Sequence, residues 1–275
     1  LTARLVDAVL DADATPRVIF SSSTHAVDPV TEYGRSKRAA EEELRRLAEG
    51  RARPVLVDRL PGVFGPGARP HYNSVVATFC HRLARGETIE VHDPGAEIEL
   101  VHVGDVVGRW VELLEADRPG GWSLLPAIPA HRTTVGHLAE LLRSFVGMRS
   151  GAFVPDASDR LEAELHSTFV SYLDPDALAL RPVLHEDERG WLAELVKSDH
   201  AGQIFVSTSA PGVVRGNHFH ERKVERFFVL RGEAIVRLRQ VGGGAVHEYR
   251  LNGARPSAVT IPPGYTHHVE NVGDD

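Results

Sequence analysis

The sequence predicts two domains of different class: an α/β domain over residues 1–173 and an all-β domain over residues 182–275. In the first part, short apolar strand patterns alternate with helical patterns, as in a doubly wound parallel sheet. Around residues 172–181, the stretch SYLDPDALALRP carries two prolines and has the composition of a linker. Beyond it, short strand patterns are separated by Gly-rich turns, which is typical of a small antiparallel barrel or jelly roll.

Each element of the first domain follows from periodicity. Residues 1–10 place four apolar side chains on one helical face, and residues 18–20 form an apolar run that ends in three serines. Stretches rich in Ala, Glu, Arg and Leu favour helices, whereas residues 54–60, PVLVDRL, predict a strand that a Gly/Pro loop follows. The predicted helices cover residues 1–10, 32–49, 72–85 and 106–114, and the predicted strands cover 18–20, 54–60 and 98–103. The strands predicted in the second domain cover 203–207, 226–230, 234–238 and 258–261.

Composition narrows the class of protein. The chain has 275 residues and a net charge of −7, which argues against nucleic acid or an anionic membrane as a partner. Its apolar runs are far shorter than the roughly 20 residues that span a bilayer, and no signal peptide is visible. A single cysteine, Cys80, excludes an internal disulfide and favours the cytoplasm. Because the chain starts at Leu1 inside a helical pattern and stops at Asp275 just after a strand, we expect truncation at both ends, with the last β-strand or strands missing.

A serine, a tyrosine and a lysine form the first candidate catalytic set. Tyr33 and Lys37 are four residues apart at the start of a predicted helix, so that both side chains lie on one face. A neighbouring ammonium stabilises a phenolate, and Ser23, at the end of the preceding strand, can hydrogen-bond the same carbonyl oxygen. The three groups could protonate a ketone as hydride arrives; alone, the Tyr–Lys pair would be an ordinary surface pair.

This arrangement, with RLPGVFGPG downstream and VHVGDVV at residues 101–107, resembles the extended short-chain dehydrogenases/reductases that act on nucleotide sugars. The resemblance implies that Ser23, Tyr33 and Lys37 are catalytic, that Lys37 contacts the nicotinamide ribose of NADP or NAD, and that Arg59 and Asn73 bind substrate. The family's Gly-rich phosphate loop, GxxGxxG, is missing before Ser21. We therefore expect roughly the first half of the nucleotide-binding fold to precede Leu1 and cofactor binding to require it.

Three histidines and a glutamate form a candidate metal cage in the second domain. His218 and His220 alternate along a predicted strand and so share a face, Glu225 begins the next strand, and His267 lies in a later one. A set of nitrogen and oxygen ligands suits a divalent ion such as zinc, with iron, manganese or nickel as alternatives. Each histidine taken alone would more often be an ordinary polar residue.

The spacing G-x5-H-x-H-x4-E-x6-G from residue 212 to residue 232 matches the first cupin motif, and PPGxxHxxxN at residues 262–271 resembles the second. The segments around Arg189 and Arg215 resemble those by which cupin-type deoxysugar epimerases hold a nucleotide diphosphate-sugar, and a planar guanidinium suits a diphosphate. A solvated surface is the alternative for both arginines. In the metal-free epimerases the position of His218 is the general base, so His218 is a candidate ligand and a candidate base.

The two domains together resemble the bifunctional capsular-polysaccharide enzymes that make the precursor of UDP-N-acetyl-L-fucosamine. The resemblance implies that the cupin epimerises carbon 3 of a UDP-2-acetamido-2,6-dideoxy-4-ketohexose, that the reductase then reduces carbon 4 with NADPH, and that the protein is a homodimer. Two alternatives remain: a cupin-only ketosugar isomerase or epimerase with an inactive reductase remnant, and a structural metal-binding module that mediates dimerisation.

Overall fold

The computed structural model describes the chain except residues 13–15, 52–53, 117–119, 150, 201 and 275. The chain divides into two compact units, Leu1–Ser150 with Pro155–Leu180 and Gly151–Val154 with Arg181–Asp275. The short segment 151–154 groups with the second unit because Phe153 forms a β-bridge with Lys197. Among the described residues, no helix has both the length and the apolar character that a membrane span needs.

The first unit alternates strands and helices. Its helices are α1 (Thr2–Asp11), α2 (Glu32–Arg51), α3 (Val75–Ala84), α4 (Val103–Glu115), α5 (Val135–Met148) and α6 (Arg160–Val170). Its strands are β1 (Val18–Ser23), β2 (Pro54–Leu60), β3 (Gly62–Phe64), β4 (Glu97–His102), β5 (Gly121–Leu124) and β6 (His131–Thr134). A parallel sheet has the order β1-β2-β5, and a second sheet, β3-β4-β6, pairs β3 with β4 in parallel and β4 with β6 antiparallel. The predicted α/β class is confirmed.

Helix α2 is held by apolar packing. Val6 of α1 and Leu44 and Leu47 of α2 form one buried cluster with Val55 and Val57 of β2. Burying an aliphatic side chain of this size contributes about 1.5–3 kcal/mol relative to exposure. The packing therefore fixes the helix whose first two turns carry the predicted tyrosine and lysine.

Helix α3 begins later than residue 72, where we predicted it. Ser74 is its N-cap, and the side-chain oxygen accepts a hydrogen bond from the backbone N–H of Ala77 at 3.2 Å. Asn73 precedes the helix with a φ of +54°, a left-handed conformation that asparagine tolerates better than most residues. Asn73 is thus a loop residue, because the serine side chain supplies the capping bond that ends the loop.

The second unit is all-β and antiparallel. Its strands are β7 (Leu184–Asp187), β8 (Gly190–Ser198), β9 (Gly202–Ser207), β10 (Val214–His218), β11 (Glu225–Phe228), β12 (Glu233–Gln240), β13 (His247–Asn252), β14 (Ala258–Ile261) and β15 (Tyr265–Asn271). They form the sheets β7-β8-β9, β10-β15-β12-β13 and β11-β14. This confirms the all-β class; the pairings between described residues make three sheets and no continuously hydrogen-bonded barrel.

Strand β15 lies between two other strands of the second unit, next to its buried core. Val236, Leu238, Leu251, Val259 and Ile261 form its buried cluster, contributed by β12, β13 and β14. Strand β15 pairs with β10 on one side and with β12 on the other. A side chain on the inner face of β15 is therefore enclosed.

Candidate metal centre and candidate reductase residues

The structure brings together the four side chains selected as metal ligands. His218 ends β10, His220 lies two residues beyond it, Glu225 begins β11 and His267 lies within β15. One ligand atom from each residue lies within 4.8 Å of all the others. His267 is 1% exposed, His220 and Glu225 are half-buried, and His218 is exposed. Donors that are far apart in sequence therefore surround one small volume.

The way in which the chain brings His218 and His220 together differs from the prediction. We expected both to alternate along one strand, but β10 ends at His218, and His220 follows outside any strand. The backbone N–H of Gly264 donates a hydrogen bond of 2.9 Å to the carbonyl of His220. A loop contact, and not strand alternation, positions the second histidine.

A β-bulge places His218 opposite His267. The register between β10 and β15 shifts between Gly216 and His218, so that His218 pairs with His267. Gly216 has a φ of +108°, and a Cβ built there would lie 2.8 Å from the carbonyl oxygen of His267. Asn217 has a φ of +64°, and its Oδ1 lies 3.1 Å from Nδ1 of His268. Bulges near functional sites commonly redirect a side chain, and this one directs a histidine toward the other ligands.

Three polar atoms of the cage are buried without a hydrogen bond from the described residues: Nε2 of His220, Oε2 of Glu225 and Nε2 of His267. The carboxylate oxygen lies only 3.2 Å and 3.0 Å from the two nitrogens, yet no contact has hydrogen-bond geometry. Leaving such atoms unsatisfied costs about 1–3 kcal/mol each. Lone pairs that converge on a common centre are what a cation requires, so the residues fit a divalent metal ion.

Two of the ligands are in forms that bind cations. Burial lowers the pKa of His267, and it outweighs the raising effects of the Tyr265 carbonyl and of Glu225. Burial alone would raise the pKa of Glu225, but Lys223, whose Nζ lies 2.8 Å from Oε1, lowers it overall together with His220 and His267. A neutral imidazole and an ionised carboxylate suit zinc or another borderline divalent ion.

The two predicted substrate-binding arginines of this unit share one acidic partner. Arg189 donates side-chain and backbone hydrogen bonds to Asp187, and these lower the pKa of that carboxyl. Arg215 donates from Nε to Oγ of Ser209 and from Nη2 to the carbonyl of Thr208, both at 3.1 Å, and its Nη2 lies 3.9 Å from Asp187. Both guanidinium groups are thus oriented by the protein, and Arg215 precedes His218 on the same strand.

In the first unit, Ser23 ends β1 while Tyr33 and Lys37 lie in α2. The Lys37 ammonium donates a 2.8 Å hydrogen bond to the carbonyl of Ser21 and lies 5.6 Å from the centre of the Tyr33 ring. Burial lowers the pKa of Lys37. Ser23 is buried and accepts a hydrogen bond from the backbone N–H of His25, whereas the tyrosine is 49% exposed. The helix face therefore presents the phenol to solvent beside the lysine.

Arg59 is already engaged by a residue that we had not singled out. Its Nε and Nη2 bind the two carboxylate oxygens of Glu41 at 2.9 Å and 2.6 Å, and the hydroxyl of Ser22 donates to the same carboxylate at 2.5 Å. Glu41 is 4% exposed. Burial opposes its ionisation, but hydrogen bonds from Arg59 and Ser22 lower its pKa overall. The structure thus links β1, α2 and β2 through one carboxylate.

Asn73 lies at a small cavity of about 170 Å³ beside the start of α3. The cavity is lined by residues of β3, the α3 N-terminus and β4: Gly62, Val63, Asn73, Ser74, Val75, Val76, Ile98, Glu99 and Leu100. Arg59 does not line it. The two predicted substrate-binding residues of the first unit are therefore not brought to one pocket.

Glu41 and Lys223 are the site residues that sequence reasoning missed. Glu41 is one helical turn after Lys37, a spacing that places both on one face and could have identified it. Lys223 is two residues before Glu225, and this closeness in sequence to a predicted ligand could have drawn attention to it. Neither residue is one of the fixed positions of the reductase or cupin motifs.

Comparison with known proteins follows the division into two units. The NAD dependent epimerase/dehydratase family matches residues 1–122, and the polysaccharide biosynthesis C-terminal domain matches residues 185–275. UDP-2-acetamido-2,6-beta-L-arabino-hexul-4-ose reductase of Pseudomonas aeruginosa is 39% identical over 276 aligned residues, which cover all of this chain and 73% of that protein. Spore coat polysaccharide biosynthesis protein SpsL of Bacillus subtilis is 33% identical over 100 residues, 33% of this chain and 66% of that protein.

A solved structure matches nearly the whole chain. The crystal structure of capsular polysaccharide assembling protein CapF from Staphylococcus aureus has a TM-score of 0.89 and 34% identity, and the match covers 99% of this chain and 74% of CapF. The class is thereby defined: the chain is a nucleotide-sugar reductase/epimerase with an α/β and an all-β unit. It belongs to the same family as the Pseudomonas reductase and the capsular polysaccharide assembling protein CapF, which confirms the resemblance inferred from the motifs.

Proposed function

We propose that the second unit epimerises carbon 3 of a UDP-4-keto-6-deoxy-N-acetylhexosamine and that the first unit reduces the 4-keto group with NADPH or NADH. The product would be an intermediate on the pathway to UDP-N-acetyl-L-fucosamine. The observation that carries the proposal is the cage of His218, His220, Glu225 and His267 with its convergent, unsatisfied donor atoms. The Pseudomonas relative, named UDP-2-acetamido-2,6-beta-L-arabino-hexul-4-ose reductase, supports the substrate class.

Epimerisation next to a ketone requires a base and stabilisation of the enolate. The proton at carbon 3 becomes acidic only when negative charge on the keto oxygen is stabilised, and a divalent metal supplies that stabilisation when bound. His218 is the exposed member of the cage, which supports its role as the base that takes this proton in the state in which its ring nitrogen is not bound to the metal. The proton returns on the opposite face from a second group. Arg215 and Arg189, oriented by Asp187, bind the diphosphate.

Reduction uses the first unit. Tyr33 donates its phenolic proton to the keto oxygen while carbon 4 receives hydride, and Ser23 hydrogen-bonds the same oxygen. Lys37 stabilises the phenolate that remains, and its short distance from the Tyr33 ring supports this role. NAD(P)H supplies the hydride when bound, and Lys37 would hold its nicotinamide ribose. Because reduction removes the ketone, it prevents back-epimerisation.

Solvent deuterium exchange tests the epimerase. With a UDP-4-keto-6-deoxy sugar and metal-loaded protein, deuterium should enter at carbon 3, and His218→Ala and His267→Ala should abolish the exchange. Tyr33→Phe should retain exchange, because it changes the other unit. His247→Ala, an exposed histidine of β13, is the matched control and should exchange normally. Loss of exchange in the control as well would refute the assignment to the cage.

NADPH oxidation tests the reductase. The intact enzyme should consume NADPH in the presence of the keto sugar, and Tyr33→Phe should stop this consumption. Tyr72→Phe, another exposed tyrosine of the same unit, should leave it unchanged. Equal oxidation by the parent and Tyr33→Phe would show that Tyr33 is not the proton donor.

A structural metal site is the second candidate function. Four protein ligands are the number found in closed structural zinc sites.

The second unit also exposes large apolar side chains such as Leu184, Ile204 and Phe228. We propose that these side chains contribute to a homodimer. We also propose that the enzyme acts in the cytoplasm, in keeping with its single cysteine. No deuterium exchange with metal fully loaded would favour the purely structural role, alone or beside an inactive reductase.

A further inference from the structure

The two carboxylate oxygens of Glu225 have different surroundings. Oε2 faces into the cage, 3.2 Å from Nε2 of His220 and 3.0 Å from Nε2 of His267. Oε1 faces the Lys223 ammonium at 2.8 Å. The Glu225 side chain is 11% exposed and that of Lys223 is 46% exposed, so the ammonium lies on the side of the carboxylate that is open to solvent.

We propose that Lys223 is a positioning residue that holds Glu225 as a one-oxygen ligand of the metal. The inference rests on the proposed metal centre and goes beyond it, because Lys223 is not a ligand. A carboxylate can bind a cation through one oxygen or through both, and an ammonium held at Oε1 competes for that oxygen. Partners behind the ligands commonly set ligand orientation in this way.

The local backbone explains why the pair persists. Glu225 begins β11 and pairs with Ile261 of β14, so its backbone is fixed. Lys223 precedes the strand by two residues, and its Nζ lies 2.8 Å from Oε1. The ammonium therefore reaches Oε1 from outside while the strand directs Oε2 inward.

The count of donor atoms shows what the pair achieves. Three imidazole nitrogens and one carboxylate oxygen make four protein donors, whereas both oxygens would make five. Zinc accepts four ligands readily and expands to five in catalytic sites. Restricting Glu225 to one oxygen therefore keeps the fifth position for a substrate oxygen, which deepens the proposed epimerase role of the same site.

The test compares Lys223→Met with Lys197→Met in the complete chain. Methionine has nearly the length of lysine and no charge, and Lys197 is a matched control in the same unit, where its ammonium lies 4.9 Å from the Phe153 ring centre. Zn²⁺ affinity is measured by competition with a chromophoric chelator, and we expect Lys223→Met to bind about 10- to 100-fold more weakly. Lys223→Arg should recover most of the loss because it restores a cation at Oε1.

The deciding measurement is the visible spectrum of the Co²⁺-loaded protein at saturation, because band intensity falls as the coordination number rises. Lys223→Met should show weaker bands than the parent and Lys197→Met, and the melting temperature of the metal-free protein should be unchanged. Identical spectra and equal Zn²⁺ affinity in both variants would refute the role of Lys223 and leave the metal centre intact. Failure of the parent to bind Zn²⁺ or Co²⁺ would instead refute the metal centre itself.

Discussion

The carboxylate of Glu41 offers the sharpest test of how the first unit is held together. In Glu41→Gln, the amide retains the shape of the side chain but leaves Arg59 without a counter-charge. Removing one partner of a buried ion pair costs about 3–5 kcal/mol. The Arg59 side chain keeps 19% exposure and glutamine can still contact Ser22, so we expect the lower limit, about 3 kcal/mol of unfolding free energy.

Urea unfolding in a Trp191→Phe background measures this loss, because Trp110 and Trp122 then report on the first unit alone. Glu42→Gln is the matched control: its side chain is 71% exposed and lies 3.7 Å from Arg38. Such a surface pair contributes about 0–1 kcal/mol. Equal shifts of the urea midpoint in the two variants would refute the reasoning.

The pH dependence has a definite sign. Burial raises the pKa of Glu41, but the hydrogen bonds from Arg59 and Ser22 outweigh it, so the folded-state pKa lies below the usual range. A depressed carboxylate pKa stabilises the fold above the unfolded-state value of about 4.3, and this stability is lost as pH falls through the folded-state pKa. The difference between the parent and Glu41→Gln should stay constant from neutral pH down to about 5 and shrink below it. A difference that grows on acidification would contradict this sign.

Three further experiments test other parts of the molecule. Gly216→Ala should lower the free energy of unfolding by at least about 1–3 kcal/mol, since the residue has a positive φ and a Cβ would meet the His267 carbonyl. Gly147→Ala in α5 is the control: a Cβ there has open space, so the substitution should be neutral or stabilising by up to about 1 kcal/mol. Similar melting temperatures of the two variants would contradict this prediction. Cys80 is fully buried and burial raises its pKa to about 12, so a thiol reagent should label it only in urea, and rapid labelling of native protein would show that the thiol is accessible. A chelator should lower the melting temperature of the zinc-loaded parent and leave that of His267→Ala unchanged; an equal decrease in both would place the metal elsewhere.

Sequence patterns predicted correctly those helices and strands whose bounds are set by residues near them in the sequence. Strand β2 has the predicted bounds, 54–60, because prolines at 54 and 61 mark the ends of the stretch PVLVDRL. Helix α2 begins at Glu32 as predicted, and the side-chain oxygen of Thr31 accepts a hydrogen bond of 3.1 Å from the backbone N–H of Gly34 in its first turn. We assigned no helix to residues 135–148, although Leu138, Leu142 and Phe145 recur at helical spacing and are fully buried.

The details that sequence could not supply depend on contacts between distant strands. The bulge at Gly216 is set by the backbone of β15, about fifty residues later, so alternation alone placed His218 and His220 on one strand. The engagement of Arg59 by Glu41 depends on how β1 pairs with β2 and how α2 packs on both. The motif spacing nevertheless identified the four cage residues. A metal site requires particular residue types at particular spacings, and these can be recognised without knowing the path of the backbone between them.

The contacts of Ser21, Ser22 and Ser23 restrict which substitutions each of the three positions can accept. The carbonyl of Ser21 accepts a hydrogen bond from Lys37, and the hydroxyl of Ser22 donates one to Glu41. The hydroxyl oxygen of Ser23 accepts one from a backbone N–H. Three identical letters therefore face three different selective constraints. In natural variants of this protein, the first serine should be freely exchanged for other strand formers and the second should tolerate only threonine. The third, whose proposed role is to hydrogen-bond the ketone oxygen, should be retained wherever ketone reduction is retained.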